Sequence, residues 1–212
     1  MIEWICGDCI ETMKHYKDKQ FDLCLTDPPY NLGVNYGVGI NDNKTQEEYK
    51  RWSIQWFTEA MRISKAMIFS PGFKNFLMWV NEIEPPTTVL CWYHSNALSH
   101  NLTGKGFMHW EPMLLYGNMG MKKDAFNHPV NIQKYKGSHN CPKSRDLYID
   151  ILKSCTEKVK TVIDPFVGSG TTAMACKVLE IDCVGIDVNK KFIDEAKENI
   201  KLSGFGAVNK WL

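Results

Sequence analysis

The tetrad Asp27-Pro28-Pro29-Tyr30 sets a carboxylate, two imino acids and an aromatic ring side by side. Two consecutive prolines remove two backbone donors and fix the chain, which keeps the Pro28 carbonyl out of any helix or ladder. The result is a rigid cluster with two acceptors and a π face. Such a cluster suits a planar amine: the acceptors take its two N–H groups while the ring stacks on the attached base. A proline-stiffened turn with a packing tyrosine is the plainer reading of the same four residues.

A second segment, Thr161-Val-Ile-Asp164-Pro-Phe166-Val-Gly168-Ser169-Gly170-Thr171-Thr172-Ala173, reads as a strand, a tight glycine-rich turn and a helix. Glycine lets the backbone turn sharply and approach a ligand, and the helix N-terminus presents free N–H groups. Roughly 20 residues on, Gly185-Ile186-Asp187 ends the next strand with an acid suited to a ribose hydroxyl. Gly168-x-Gly170-x-x-Ala173 fits the loose dinucleotide pattern, and no lysine follows Gly170, which excludes a nucleoside-triphosphate P-loop. Alone, the segment reads as a site for an adenosine-containing cofactor or as a βα turn without ligand.

Both segments need strands to carry them. Ile2–Cys6, Phe21–Thr26, Ala66–Ser70, Thr88–Tyr93, Pro112–Tyr116, Thr161–Asp164 and Cys183–Asp187 are mostly continuous apolar runs, as expected of strands buried on both faces. Helical patterns alternate with them over Gln46–Ser64, Phe73–Ile83, Arg145–Thr156, Thr171–Leu179 and Lys190–Leu202. The first carries a T-x-x-E capping box at Thr45 and Glu48, with Trp52, Trp56, Ala60 and Ile63 at helical spacing. The alternation predicts a single α/β domain over 1–212, a mostly parallel Rossmann-like sheet with helices on both faces. In such a sheet ligands bind beyond the carboxyl ends of the strands, where both motifs lie.

With 212 residues, 44% hydrophobic and 23% charged, the chain is not disordered, collagen-like or fibrous. No apolar run approaches the roughly 20 residues of a membrane span, and the N-terminus lacks a basic region before an apolar stretch. Most of the eight cysteines sit in apolar segments, as small buried hydrophobes do, so a reduced, cytoplasmic protein is expected. Cys6-Gly-Asp-Cys9 has no second pair at zinc spacing, and no metal is expected. His15, His94, His100 and His128 read as surface or structural residues. The formal net charge of +1 argues against a nucleic-acid partner. It conceals a basic stretch, however: across 117–145, Lys122, Lys123, Lys134, Lys136, Lys143 and Arg145 face Asp124 alone.

With both motifs in view, the sequence resembles the S-adenosylmethionine-dependent DNA amino-methyltransferases, the N6-adenine and N4-cytosine family, in the permuted group where DPPY precedes the glycine turn. Gly7-Asp8-Cys9 and Phe21–Gly33 resemble the family's opening. Trp92, Asn96, Asn101, Gly104, Phe107 and Glu111–Tyr116 follow its middle pattern, and His139, Lys143 and Leu147 echo the approach to Asp164–Thr172. Trp110 stands where a histidine is common, and Lys143-Ser144 replaces a usual Lys-Pro pair.

The resemblance implies a circularly permuted class I methyltransferase fold and S-adenosylmethionine as cofactor. It further implies that Asp27 and the Pro28 carbonyl take the exocyclic amine, that Pro29 completes the tetrad, and that Tyr30 stacks on a flipped base. Asp164, Phe166, Gly168, Ser169, Gly170, Thr171 and Thr172 would hold the cofactor's methionine end. Asp187 would hold its ribose and Asp8 its adenine, with Cys9, Asp27, Lys143 and Val188 also in contact. DNA is the implied partner, read by a short basic segment over 117–143 in which Lys122, Lys123, Lys134 and Lys136 contact phosphate. A second copy of the chain and a cognate restriction endonuclease are further partners of the kind such enzymes have.

Aspartate at position 27 favours adenine, since N4-cytosine enzymes more often carry serine there. An oxidoreductase using Gly168-x-Gly170 leaves DPPY unexplained. A non-catalytic DNA-binding module would bind cofactor without methyl transfer.

Overall fold

The computed structural model describes residues 1–37, 42–96, 100, 104–130 and 143–203, with residues 202 and 203 described by their backbone alone. Among them are the strands β1 (Ile2–Cys6), β2 (Phe21–Thr26), β3 (Ser64–Phe69), β4 (Thr88–Tyr93), β5 (Trp110–Gly117), β6 (Ala125–Asn127), β7 (Thr161–Asp164) and β8 (Asp182–Asp187). They form one sheet in the order β1-β8-β7-β2-β3-β5-β4-β6. Every neighbouring pair is parallel except those made by β5, which runs against β3 and β4. The helices are α1 (Cys9–Met13), α2 (Gln46–Ile63), α3 (Phe76–Met78), α4 (Arg145–Ser154), α5 (Thr171–Val178) and α6 (Lys190–Ser203).

The apolar strands bury both faces. Successive side chains of a strand point to opposite sides, and the two cores divide accordingly. Leu23, Leu25, Ala66, Ile68 and Val162 join α4, α5 and α6 on one face. Cys24, Met67, Phe69 and Ile163 join α1 and α2 on the other. Trp56 of α2 is fully buried there, and its ring lies 5.3 Å from that of Phe69 and 5.3 Å from that of Phe166 in the glycine turn. Thus the core under α2 also supports one wall of the turn.

The expected α/β architecture is present, with local differences. The T-x-x-E box at the start of α2 forms as read, Thr45 Oγ1 accepting from the Glu48 N–H while Glu48 accepts from the Thr45 N–H. At its other end the chain passes from Ile63 straight into β3 at Ser64, whose backbone is already extended, so the strand starts two residues earlier than predicted. The helix predicted over Phe73–Ile83 is instead a 3-10 turn at Phe73–Asn75, the α turn α3 and a π turn at Trp79–Ile83. Two short elements, α1 and β6, were not predicted. Asp8 caps α1 by accepting from the Glu11 N–H, and β6 inserts the fully buried Phe126 beside β4. The stretch read as a polar insertion therefore contributes the sheet's last strand. Among the described residues no helix is long and apolar enough to cross a membrane.

Candidate active site

Parallel strands deliver their carboxyl ends to one edge. Along that edge the order of strands sets Asp8 after β1, Asp187 at the end of β8, Asp164 at the end of β7 and Asp27 after β2. Neighbouring strands are spaced about 4.8 Å apart, so Asp187 and Asp27 stand about 10 Å apart across the sheet. The reversed strand β5 begins at this same edge, which brings in Glu111, paired in register with Trp92 of β4.

The tetrad is braced from several elements. The Tyr30 hydroxyl donates to Asp27 Oδ1. Tyr49 of α2 donates to the Pro29 carbonyl at 2.9 Å, and the Asn75 amide donates to the Tyr30 carbonyl at 2.8 Å. Gly72, in the left-handed region at φ 67°, lies under the Tyr30 ring, where a Cβ would come within 2.7 Å of the ring carbon Cγ. Among the described residues no group donates to the Pro28 carbonyl. The cluster thus keeps the carboxylate, carbonyl and ring in one fixed arrangement.

Lys143, immediately before α4, reaches into this cluster. Its Nζ lies 2.6 Å from Glu111 Oε2 and 3.8 Å from Asp27 Oδ1, and it stands over the rings of Trp92 at 4.8 Å and Tyr30 at 5.5 Å. Only 11% of its side chain is exposed. Burial raises the Asp27 pKa above the usual carboxylate value. The Lys143 charge and the Tyr30 hydrogen bond oppose that rise, and Glu111 adds to it. Burial by itself would lower the Lys143 pKa, but Asp27 and Glu111 more than offset this and keep the ammonium charged. His94 is buried beyond β4, and neither ring nitrogen has a hydrogen-bond partner among the described residues. Its desolvation lowers its pKa and favours the neutral imidazole.

The glycine turn is organised by Asp164, which is 3% exposed. Its carboxylate accepts from the hydroxyls of Thr26 and Thr172, both at 2.5 Å, and from the Phe166 N–H at 3.0 Å. Those bonds tie the end of β7 to β2 and to the first turn of α5. Gly170, at φ 87°, caps α5, and a Cβ there would meet Ala196 of α6 at 2.9 Å. Asn199 donates to the Ser169 carbonyl and Thr171 to the Lys143 carbonyl. Asp187 accepts from the Gly168 and Asn189 N–H groups at 3.1 and 2.8 Å, which fixes the carboxylate. Beside it Val188 is 52% exposed, an apolar surface at the strand end. Asp8 is exposed one strand further, whereas Cys9 is buried in the core under α1.

The loop after the tetrad links the two halves of the edge. Asp42, buried and not singled out from sequence, accepts from the N–H groups of Asn31, Leu32 and Val34. Asn189 then donates to the Tyr36 carbonyl at 2.8 Å. Gly72 and Asn75 also escaped sequence reasoning, and Glu111 was noted only as part of the family's middle pattern, with no role assigned. A lone acid opening an apolar strand and a Ser-Pro-Gly following one were the available signals.

The basic pair Lys122 and Lys123 is placed differently from expectation. Lys122 Nζ donates to the Lys153 carbonyl at the carboxyl end of α4, and its backbone N–H donates to the Ser154 carbonyl. Lys123 pairs with Asp150 at 2.7 Å. Since α4 runs from Lys143 toward the start of β7, its end lies toward the opposite edge of the sheet. Lys122 is therefore remote from the tetrad, and both lysines already have partners on α4. Lys134 and Lys136 fall outside the described residues.

Comparison with known proteins agrees with this geometry. The DNA methylase model of the N6/N4 methyltransferases matches residues 79–198, more than half of the chain. The Type II methyltransferase M.HpaI of Haemophilus parainfluenzae is 27% identical across 97% of this chain and 76% of its own length. M2.MboI of Moraxella bovis is 24% identical across 90% of the chain and 84% of its own length. Among solved structures, the M1.HpyAVI–SAM complex superposes with a TM-score of 0.66 at 22% identity, covering 94% of this chain and 99% of that one. The cytosine-N4-specific PvuII DNA methyltransferase superposes with a TM-score of 0.72 at 12% identity, covering 99% and 88%. These last two likenesses concern the fold. The matched family and the shared edge of tetrad and glycine turn lead to one conclusion: the chain belongs to the N6/N4 DNA methylases.

Proposed function

We propose that this protein transfers a methyl group from S-adenosylmethionine to the exocyclic N6 amine of adenine in DNA, acting on a base turned out of the duplex. The observation that carries the reading is the braced cluster of Asp27, the Pro28 carbonyl and Tyr30 on the same sheet edge as the glycine turn. Aspartate at position 27, where N4-cytosine enzymes more often have serine, supports adenine over cytosine.

S-adenosylmethionine, when bound, supplies a sulfonium methyl already activated for attack by a nitrogen lone pair, with sulfur leaving with the electron pair. The chain fits this cofactor. The fixed Asp187 carboxylate suits the ribose, Val188 and Asp8 the adenine, and Gly168, Ser169, Gly170, Thr171 and Thr172 the methionine end. Phe166 walls the turn, and Asp164 holds it rather than the ligand.

An aromatic amine is a poor nucleophile because its lone pair is delocalised into the ring. Hydrogen bonds from the amine to Asp27 and the Pro28 carbonyl favour a pyramidal nitrogen with a localised pair, and Asp27 receives or relays the proton. Fixed alignment supplies much of the remaining acceleration. Stacking on Tyr30 offsets part of the unstacking cost of a few kcal/mol.

Sequence reading belongs to the stretch that follows β6. Because β6 runs parallel to β4, it ends at the site edge, and Lys143 stands at that edge too, so both described ends of this stretch lie there. Lys134 and Lys136 fall in that stretch. The curated relatives are named Type II methyltransferases, and a restriction endonuclease with the same target is the corresponding partner.

Replacing Asp27 tests the chemistry. Asp27→Ala is expected to lower methyl transfer by at least about 100-fold, with S-adenosylmethionine affinity by calorimetry essentially unchanged. Wild-type turnover in that variant would overturn the role.

A further inference from the structure

We infer that the Glu111–Lys143 ion pair positions Asp27: Lys143 fixes the Asp27 carboxylate in its charged, amine-accepting form, and Glu111 fixes Lys143. The inference deepens the methyl-transfer reading and rests on it for its functional meaning.

The geometry is that of one ammonium shared unequally by two carboxylates. Lys143 Nζ makes its close contact with Glu111 at 2.6 Å and leaves Asp27 at 3.8 Å, while the rings of Trp92 and Tyr30 close over it. Both carboxylates are largely shielded from water. One cation against two acids leaves a single negative charge, and the looser contact leaves it on Asp27, where an amine N–H is to be received. Burying an uncompensated carboxylate is costly, whereas a nearby cation within about 4–6 Å favours its charged form.

Among the described residues, the other titratable groups around Asp27 supply no second cation. Tyr30 donates to it from its own segment. Tyr49 faces it from α2, Asp164 from β7 and Tyr148 from α4. His94, just after β4, faces Glu111 and Lys143, and burial lowers its pKa while Glu111 opposes that shift. Thus Lys143 is, among the described residues, the positive charge that acts on Asp27, and Glu111 sets how much of that charge Asp27 receives.

Two substitutions should therefore act in opposite directions. Glu111→Gln frees Lys143 to serve Asp27 alone, so Asp27 should give up its proton at lower pH, by about one unit. Lys143→Met leaves two carboxylates close together, so Asp27 should keep its proton to higher pH by about one unit or more. Carboxyl-carbon NMR titration of protein labelled at aspartate, with the Asp27 signal assigned by Asp27→Asn, reads this without requiring activity. The acidic limb of single-turnover methyl transfer should move in the same two directions.

Opposite shifts support the inference. Shifts in one common direction, no shift, or a changed KM for S-adenosylmethionine with Asp27 titrating as in wild type would each overturn it. If the titration shifts as expected but wild-type protein methylates no DNA, the functional reading fails while the control of Asp27 stands. Thermal melting checks that each variant is folded. Should Lys143→Met not fold, Lys143→Gln takes its place and Glu111→Gln still decides.

Discussion

Asp27 and Asp164 are carboxylates at the ends of neighbouring strands, yet their surroundings assign them different work. Asp164 receives three hydrogen bonds and is almost wholly buried; desolvation still raises its pKa to about 6, against the hydrogen bonds from Thr172, Thr26 and Phe166. Asp27 is less deeply buried, its side chain 27% exposed, and lies 3.8 Å from the Lys143 ammonium. The sign of the Asp164 effect on stability follows directly. Its folded value lies above its ordinary one, so the folded state binds the proton more tightly, and that stabilisation is present below about pH 4 and lost as pH rises through about 6. A shift of this size corresponds to about 3 kcal/mol. Asp164→Asn cannot titrate. Urea unfolding of wild type and variant is therefore expected to show their difference moving in the variant's favour, by up to about 3 kcal/mol, between pH 4 and 7. A difference independent of pH would mean that the Asp164 proton plays no part.

At the scale of elements, the strands were legible because two buried faces demand continuous apolar runs, and α2 because its cap and its spacing agree. The turn run after β3 was not, since its three hydrogen-bond spacings follow from how Phe73–Ile83 meets the core rather than from its own periodicity. Strand β6 was hidden for another reason: three residues give no pattern, and one of them, Phe126, carries the packing. Phe126 is fully buried and touched by Lys123 Nζ at 5.0 Å from its ring. Truncation to alanine removes that anchor from a strand that, among the described residues, is paired on one side only, and is expected to cost about 3–5 kcal/mol in urea unfolding. A loss below 1 kcal/mol would show that β6 docks without it. The site's motifs were readable locally, as DPPY and the glycine turn, because each is contiguous. The Glu111–Lys143 pair joins residues 32 apart in sequence, and only the reversal of β5 makes them neighbours.

For the whole molecule, the net charge of +1 proved a weak guide to partners. Charge is distributed by edge, with Asp8, Asp187, Asp164 and Asp27 in series along the edge that holds the site. Lys122 and Lys123, read from sequence as phosphate contacts, both have partners on α4. The stretch proposed to read DNA is the one between β6 and Lys143, whose two ends lie at the site edge. The central claim concerns the destination of one methyl group, and incubation with methyl-labelled S-adenosylmethionine and mixed-sequence DNA, digestion to nucleosides and separation tests it most directly. Label on N6-methyldeoxyadenosine is the expected result; label on N4-methyldeoxycytidine would contradict the assignment of the base, and DNA without label would contradict methyl transfer itself.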